Sequence, residues 1–370
     1  MIDKIFLIGL GDIGRNWLNM IARTKGIGEI VACDIDKAAG NRVNSVLQGA
    51  SQMGFYPKIS FKELDLNDID KTTKLLEEKQ PGLIYNSTTL QSWWVVMTLP
   101  PEIHRKIAPA GLGPWIPCHY ILTYKLMLAR KQAGLENVPV VNSSFPDAVN
   151  PMLAVDGLTP TVGGGNFQLQ IPRMKQVVAK EENAQMKDIE VYAVGHHSGI
   201  GQPFWAKILV NGEDVSNKYP PKRIRELIPK IRYPTTPRTG PMTGPPEQEY
   251  IASAFLANCL DIYFDTGRIV GCIPGPEGLP GGYPTRLDKN GAKIFLPKEI
   301  TFEEAKKINE KAAWEGDSYK IDNDGNVTVS DKAYQIMKDT MGYDCKSWTL
   351  EENEEKAKEL VIAFKRLRGY

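Results

Sequence analysis

Over the first 150 residues, short apolar runs alternate with stretches in which apolar positions recur every three or four residues. Residues 4–9, 29–34, 58–66, 83–87 and 138–143 are rich in β-branched and aliphatic side chains, the pattern of strands buried within a sheet. Strands alternating with helices predict an α/β fold built on a doubly wound parallel sheet. The fourth run leads into an irregular excursion, 88–117, rich in Trp, Pro and Gly, before an apolar helical run at 120–130. Long segments of this kind often cover a ligand.

Past residue 142 the pattern changes. A glycine run at 161–166, helices at 172–182 and 247–264, a strand at 189–195 and a hairpin at 207–215 predict a second, α+β region. Amphipathic helices follow at 301–313, 331–341 and 350–367. The predicted organisation is a nucleotide-binding domain over 1–150, followed by an α+β domain over 151–370 for catalysis, substrate binding and oligomerisation. Prolines and glycines cluster at 233–246, read as a mobile loop, and at 274–284. The second cluster, PGPEGLPGGYP, reads as a rigid surface loop or as backbone N–H groups turned to a ligand, with Arg286 beyond it as a spare anion candidate.

Composition narrows the function classes. The 370 residues are 42% hydrophobic and 24% charged, enough for a sizeable core. A net charge of +1 gives no field that would draw in nucleic acid or an anionic membrane, so neither is an expected partner. Five dispersed cysteines without a CxxC pair fit a reducing compartment, and no segment reads as a signal peptide or membrane span. A cytoplasmic protein with a small-molecule substrate is expected, and no metal site is read from the sequence.

The sharpest motif follows the first strand. Gly9-Leu10-Gly11-Asp12-Ile13-Gly14 is GxGxxG at a strand-to-helix junction, the fingerprint of a Rossmann dinucleotide site. Gly9 permits the tight turn, Gly11 lets the backbone approach a pyrophosphate and Gly14 allows close helix–strand packing, while the turn through Asp12 and Ile13 opens the helix N-terminus to the anion. Asp34 ends the second strand about 20 positions later, where a carboxylate accepts bonds from ribose hydroxyls and repels a 2′-phosphate. NAD is the expected cofactor; Lys37 and Arg42 close downstream leave NADP open.

Three segments then occur in order: Val140-Val141-Asn142 with Pro146-Asp147, the glycine turn to Asn166 with Arg173 beyond, and Val194-Gly195-His196-His197-Ser198-Gly199. This order resembles the lactate and malate dehydrogenase superfamily, over roughly the first six-tenths of the chain. The resemblance implies His197 as the acid/base catalyst, with His196 as fallback, Asn142 near the nicotinamide and reacting oxygen, and Arg173 on a substrate carboxylate. Each has a structural alternative: a histidine bonding its own loop, an Asx-turn cap, a solvated arginine. A homodimer or homotetramer is implied as well. Where the superfamily has an aspartate beside its histidine, this chain offers Gln168 or Gln170. The 87–99 segment, STTLQSWWVVMTL, lacks the superfamily's arginine, which argues against a plain 2-hydroxy acid. Trp93 and Trp94 point to a larger or less charged substrate, or to aromatic packing. The Cys118-His119 pair and Lys125 are further candidates for the cleft.

The stretch 62–86 also resembles saccharopine-dehydrogenase-like reductases, which places Asp65 near the adenine and Ser87 and Thr88 at the cofactor. The expected activity is hydride transfer between NAD and a hydroxy or keto group of a small polar metabolite. Two alternatives stay open: an NAD- and metal-dependent glycosidase using transient oxidation, and a non-catalytic NAD sensor.

Overall fold

A computed structural model describes residues 2–231 and 248–369; the 233–246 cluster lies outside the described residues. The first part runs β1 (Lys4–Ile8), α1 (Asp12–Ile21), β2 (Glu29–Asp34), α2 (Ala39–Ser51), β3 (Lys58–Glu63), α3 (Ile69–Lys79) and β4 (Leu83–Asn86). After α4 (Pro101–Ile107) and α5 (Ile116–Gln132) comes β5 (Val140–Asn142). The five strands form one parallel sheet in the order β3-β2-β1-β4-β5. The order reverses between β1 and β4, and the carboxyl ends of these strands leave the crevice in which such sheets bind ligands.

Alternation along the strands divides the core in two. Phe6, Ile8, Val31 and Ile84 face one cluster with Leu126 of α5, whereas Ile5, Leu7, Ile30 and Tyr85 face another with Trp17 of α1. Both faces are covered, so the strands read as continuous apolar runs. Each buried aliphatic or aromatic side chain contributes about 1.5–3 kcal/mol.

The remainder runs α6 (Pro146–Val155), α7 (Gln170–Glu181), β6 (Ile189–Val194), β7 (Trp205–Val210), β8 (Glu213–Asp214) and α8 (Pro221–Leu227). It continues through α9 (Gln248–Tyr263), β9 (Arg268–Pro274), β10 (Gly282–Asp288), β11 (Gly291–Ile294) and α10 (Phe302–Ala312). It closes with β12 (Tyr319–Ile321), β13 (Val327–Val329), α11 (Asp331–Met341), β14 (Ser347–Trp348) and α12 (Asn353–Leu367). Strands β6 to β14 make three three-stranded antiparallel sheets. Late helices complete the early sheet: Phe255 and Ile262 of α9 enter the Trp17 cluster, and Leu360 and Phe364 of α12 enter the Leu126 cluster.

Several boundaries differ from the pattern. The first helix begins at Asp12, directly after its capping residue Gly11. The α5 helix begins at Ile116, with Pro117 in its first turn, where a missing N–H costs nothing. The excursion at 88–117 holds α4 and short 3-10 turns. Within 274–284 most residues are buried, so this is no surface loop: Gly275 accepts from the Asn150 amide at 2.9 Å.

Candidate active site

The glycine turn is built as the fingerprint requires. Gly9 has a φ of +93°, and a Cβ on Gly14 would stand 1.9 Å from the Gly9 carbonyl oxygen, so α1 packs directly on the turn. A Cβ on Gly11 would meet nothing within 4 Å, because Gly11 faces open space. The Asp34 carboxylate accepts the Leu10 N–H at 2.5 Å and the Asp36 N–H at 2.8 Å, which fixes β2's acidic end against the turn.

A cavity of about 260 Å³ opens beside this turn. Gly11, Asp12 and Ile13 border it from the start of α1, and Ser87 and Thr88 from the end of β4. Trp93 and Trp94 form part of its wall, as do Phe145 and His197. Among the described residues, no lysine or arginine lines it.

His197 is positioned from three directions. The segment after β6 is pinned by paired backbone bonds between Gly195 and Gly282, at 2.9 and 3.3 Å. The His197 N–H then donates to Asp147 Oδ1 at 2.9 Å, and the ring donates through Nδ1 to Asp317 Oδ2 at 2.9 Å. Asp317 is buried and is itself oriented by the Leu112 N–H at 3.2 Å. Burial disfavours a charged His197 ring, but the charge and hydrogen bond of Asp317, aided by Asp147, outweigh this and raise its pKa above the ordinary value. Asp317 moves the opposite way: burial would raise its pKa, yet the adjoining His197 holds it low. With Nδ1 committed, the other ring nitrogen is the one available to a ligand, and the side chain is 31% exposed.

His196 points elsewhere. Its side chain is fully buried, with Nε2 2.8 Å from the Tyr319 hydroxyl, and burial lowers its pKa. Phe145, in the left-handed region at φ +43°, packs edge-on against both histidines and Tyr319. A bulky residue held there stores about 1–3 kcal/mol of backbone strain, sustained by the surrounding rings.

The other sequence candidates are dispersed. Asn142 is fully buried in a chain of amides: it accepts from Asn86 at 3.1 Å, donates to Asn150 at 3.0 Å and lies outside the cavity lining. Arg173 on α7 stands with its guanidinium 5.4 Å from the Tyr250 ring centroid, also outside the lining. Asp65 accepts from the Asn67 backbone and side-chain amides at 2.9 Å. Gln170 borders the cavity, whereas Gln168 binds Asn258, so neither partners His197; that role falls to Asp317. Lys125 bonds Asn67 and Glu354, away from the cavity, and Cys118 is buried with its thiol pushed up to about 12. Sequence reasoning missed Asp317, whose Gly-Asp-Ser setting carries no distinguishing signal, and gave no role to Phe145. Among the described residues, no group of three or more His, Cys, Asp or Glu is arranged to hold a metal, and no helix is long and apolar enough to cross a membrane.

No family model matches the chain. It is 23% identical over 330 residues to L-lactate dehydrogenase 2 of Listeria innocua, covering 84% of this chain and 96% of that protein. It is 22% identical over 323 residues to malate dehydrogenase of Bacillus israeli, covering 84% and 95%. Among solved structures, malate dehydrogenase of Picrophilus torridus in its apo form superposes with a TM-score of 0.55 at 17% identity, covering 99% of each chain. Lactate dehydrogenase of Cryptosporidium parvum, complexed with lactic acid and nicotinamide adenine dinucleotide, gives 0.56 at 15% identity, covering 98% of each. These structural likenesses establish a shared fold.

Proposed function

From its standing as a Rossmann-fold NAD(P)-binding oxidoreductase that resembles the lactate/malate dehydrogenase superfamily, we propose that this chain transfers a hydride between NAD and a hydroxy or keto group of a small polar metabolite, with His197 as the acid/base group. The observation that carries this reading is that His197, its Nδ1 committed to Asp317, borders the same cavity as the open Gly11 turn.

When bound, NAD supplies two-electron chemistry, accepting a hydride from a carbinol carbon or returning it to a carbonyl carbon. The N–H groups at the start of α1, through Gly11, Asp12 and Ile13, would hold the pyrophosphate, and Asp34 the adenosine ribose. Ser87 and Thr88 would flank the cofactor from β4, with Asp65 on the adenine side. In oxidation, His197 Nε2 takes the hydroxyl proton as the C–O bond becomes C=O. In reduction it returns that proton to the carbonyl oxygen. Asp317 steadies the imidazolium, Asn142 holds the ends of β4 and β5 through its amide bonds, and His196 serves as a support for the turn. Arg173, which the resemblance sets on a substrate carboxylate, stands outside the cavity lining beside Tyr250.

The same reading includes assembly as a homodimer or homotetramer, which symmetry statistics favour, and a cytoplasmic location, which the free cysteines fit. Light scattering of the purified protein tests the first. The central test is His197→Ala, assayed by NADH fluorescence and by nicotinamide absorbance with a panel of carbonyl compounds. Loss of turnover with NADH binding intact supports the role; retained turnover refutes it.

A further inference from the structure

His119, near the start of α5, borders the same cavity as His197 and takes no part in the proton transfer described above. Its ring stands edge-on to Phe145 at 5.9 Å between centroids, and His197 stands edge-on to the same ring at 5.1 Å. Two imidazoles therefore flank one aromatic ring and face one cavity.

The hydrogen bonds around His119 assign its tautomer. Nδ1 lies 3.3 Å from Thr89 Oγ1 and 3.2 Å from Ser144 Oγ. Each hydroxyl has one proton and a shorter use for it: Ser144 donates to the His119 carbonyl at 3.0 Å, and Thr89 to the Gln91 or the Cys118 carbonyl, each at 3.1 Å. Both oxygens thus turn lone pairs to Nδ1, so Nδ1 carries the hydrogen and Nε2 keeps a bare lone pair. Burial, and next the nearness of His197, push the His119 pKa down to about 3, so the ring stays neutral and Nε2 stays an acceptor at physiological pH. Nε2 is not among the polar atoms sealed off without a partner, and the ring lines the cavity, so this acceptor is open to a ligand.

The rest of the wall agrees. It contains no lysine or arginine among the described residues, and the apolar side chains of Trp93, Leu112, Ile251 and Phe255 occupy much of it. A substrate carboxylate here would be desolvated beside no lysine or arginine among the described residues and would meet a lone pair at His119, both unfavourable. A hydroxyl beside the reacting carbon would instead donate to Nε2.

We propose that His119 Nε2 accepts a hydrogen bond from a second substrate hydroxyl, and that the substrate is an uncharged α-hydroxy ketone, or the 1,2-diol formed by its reduction, rather than a 2-oxo or 2-hydroxy acid. The inference rests on the oxidoreductase reading. The redox step is the one given above, and His119 binds without exchanging a proton.

The test compares NADH-dependent reduction of hydroxyacetone, methoxyacetone, acetone and pyruvate. With the unaltered protein, hydroxyacetone is expected to have the highest kcat/KM, and methoxyacetone, which keeps the oxygen but lacks the donor, to fall by about tenfold. In His119→Phe the ratio of kcat/KM for hydroxyacetone to that for acetone is expected to collapse by a similar factor, with partial recovery in His119→Gln, whose carbonyl oxygen accepts. Preference for pyruvate, equal rates with hydroxyacetone and methoxyacetone, or an unchanged ratio in a folded His119→Phe overturns this inference and leaves the oxidoreductase reading standing. The substrate comparison needs no variant, so a His119→Phe protein that fails to fold does not spare the proposal. NADH binding with no turnover of any of the four overturns this inference, and no turnover across the wider panel of carbonyl compounds overturns the oxidoreductase reading with it.

Discussion

His197 Nδ1 lies 2.9 Å from Asp317 Oδ2 across 120 positions of sequence. Asp317 ends a π-helical turn, Ala313–Asp317, that follows α10, and Ser318 beyond it sits in the left-handed region at φ +62°. Such turns re-aim a side chain that a regular helix would direct elsewhere. A Cβ on Gly316 would stand 2.3 Å from Ser198 Cβ, so only glycine lets this turn press against the histidine loop. The orienting carboxylate thus comes from the C-terminal region.

Asp317→Asn removes the charge that keeps the His197 pKa up, leaving burial to lower it. In the proposed mechanism reduction draws on the imidazolium, so its rate should fall as pH rises through this pKa, and in the variant that fall should come at lower pH. At neutral pH the kcat for reduction is expected to drop about tenfold or more, the scale of a lost charge-assisted bond. Profiles of kcat/KM against pH check this; coincident profiles would place control of the histidine elsewhere.

The same pair makes folding stability depend on pH. The raised pKa of His197 contributes stability that is complete below its unfolded value and is lost as pH rises through the folded one. The lowered pKa of Asp317 contributes stability that is complete above its unfolded value and is lost as pH falls through the folded one. The Tm gap between the unaltered protein and Asp317→Asn should be widest at about pH 4–6.5, between the unfolded carboxylate and imidazole values, and narrow on either side. Thermal unfolding across pH measures it, and a gap independent of pH would contradict the linkage.

Gly14→Ala and Gly11→Ala should separate folding from cofactor binding. The first sets a methyl 1.9 Å from the Gly9 carbonyl oxygen, and is expected to lower stability by about 1–3 kcal/mol or more. The second adds a methyl in open space beside the cavity. It should unfold near the normal temperature yet bind NADH much more weakly. Equal losses of both properties in the two variants would contradict the division.

Asp34→Ala should relax the preference for NAD. Because Asp34 Oδ2 also accepts the Leu10 N–H, a stability loss of about 1 kcal/mol should accompany the change. Fluorescence titration with NADH and NADPH reads the preference. Unchanged affinities for both would remove Asp34 from the ribose site.

Much of this fold is legible in the sequence. The five apolar runs, the GxGxxG turn and Asp34 encode local events: a strand, a sharp turn, a helix start and an acidic strand end, each set by residues close together in the chain. The His196-His197 pair is equally visible, but which of the two faces the cavity is not. His197 faces it because its N–H meets Asp147 and its ring meets Asp317, while His196 is drawn to Tyr319.

The sequence by itself determined the Rossmann sheet, the glycine turn and the acidic end of β2, since hydrophobic period and backbone sterics act over a few residues. Only the tertiary structure decided the chemistry of the cavity. It withdrew Asn142 into a buried amide chain, kept Arg173 off the cavity wall, supplied Asp317 in place of a neighbouring glutamine and turned His119 inward. Charge, hydrogen bonding and burial at these positions depend on groups brought together from distant segments, and no local pattern records which of them will meet.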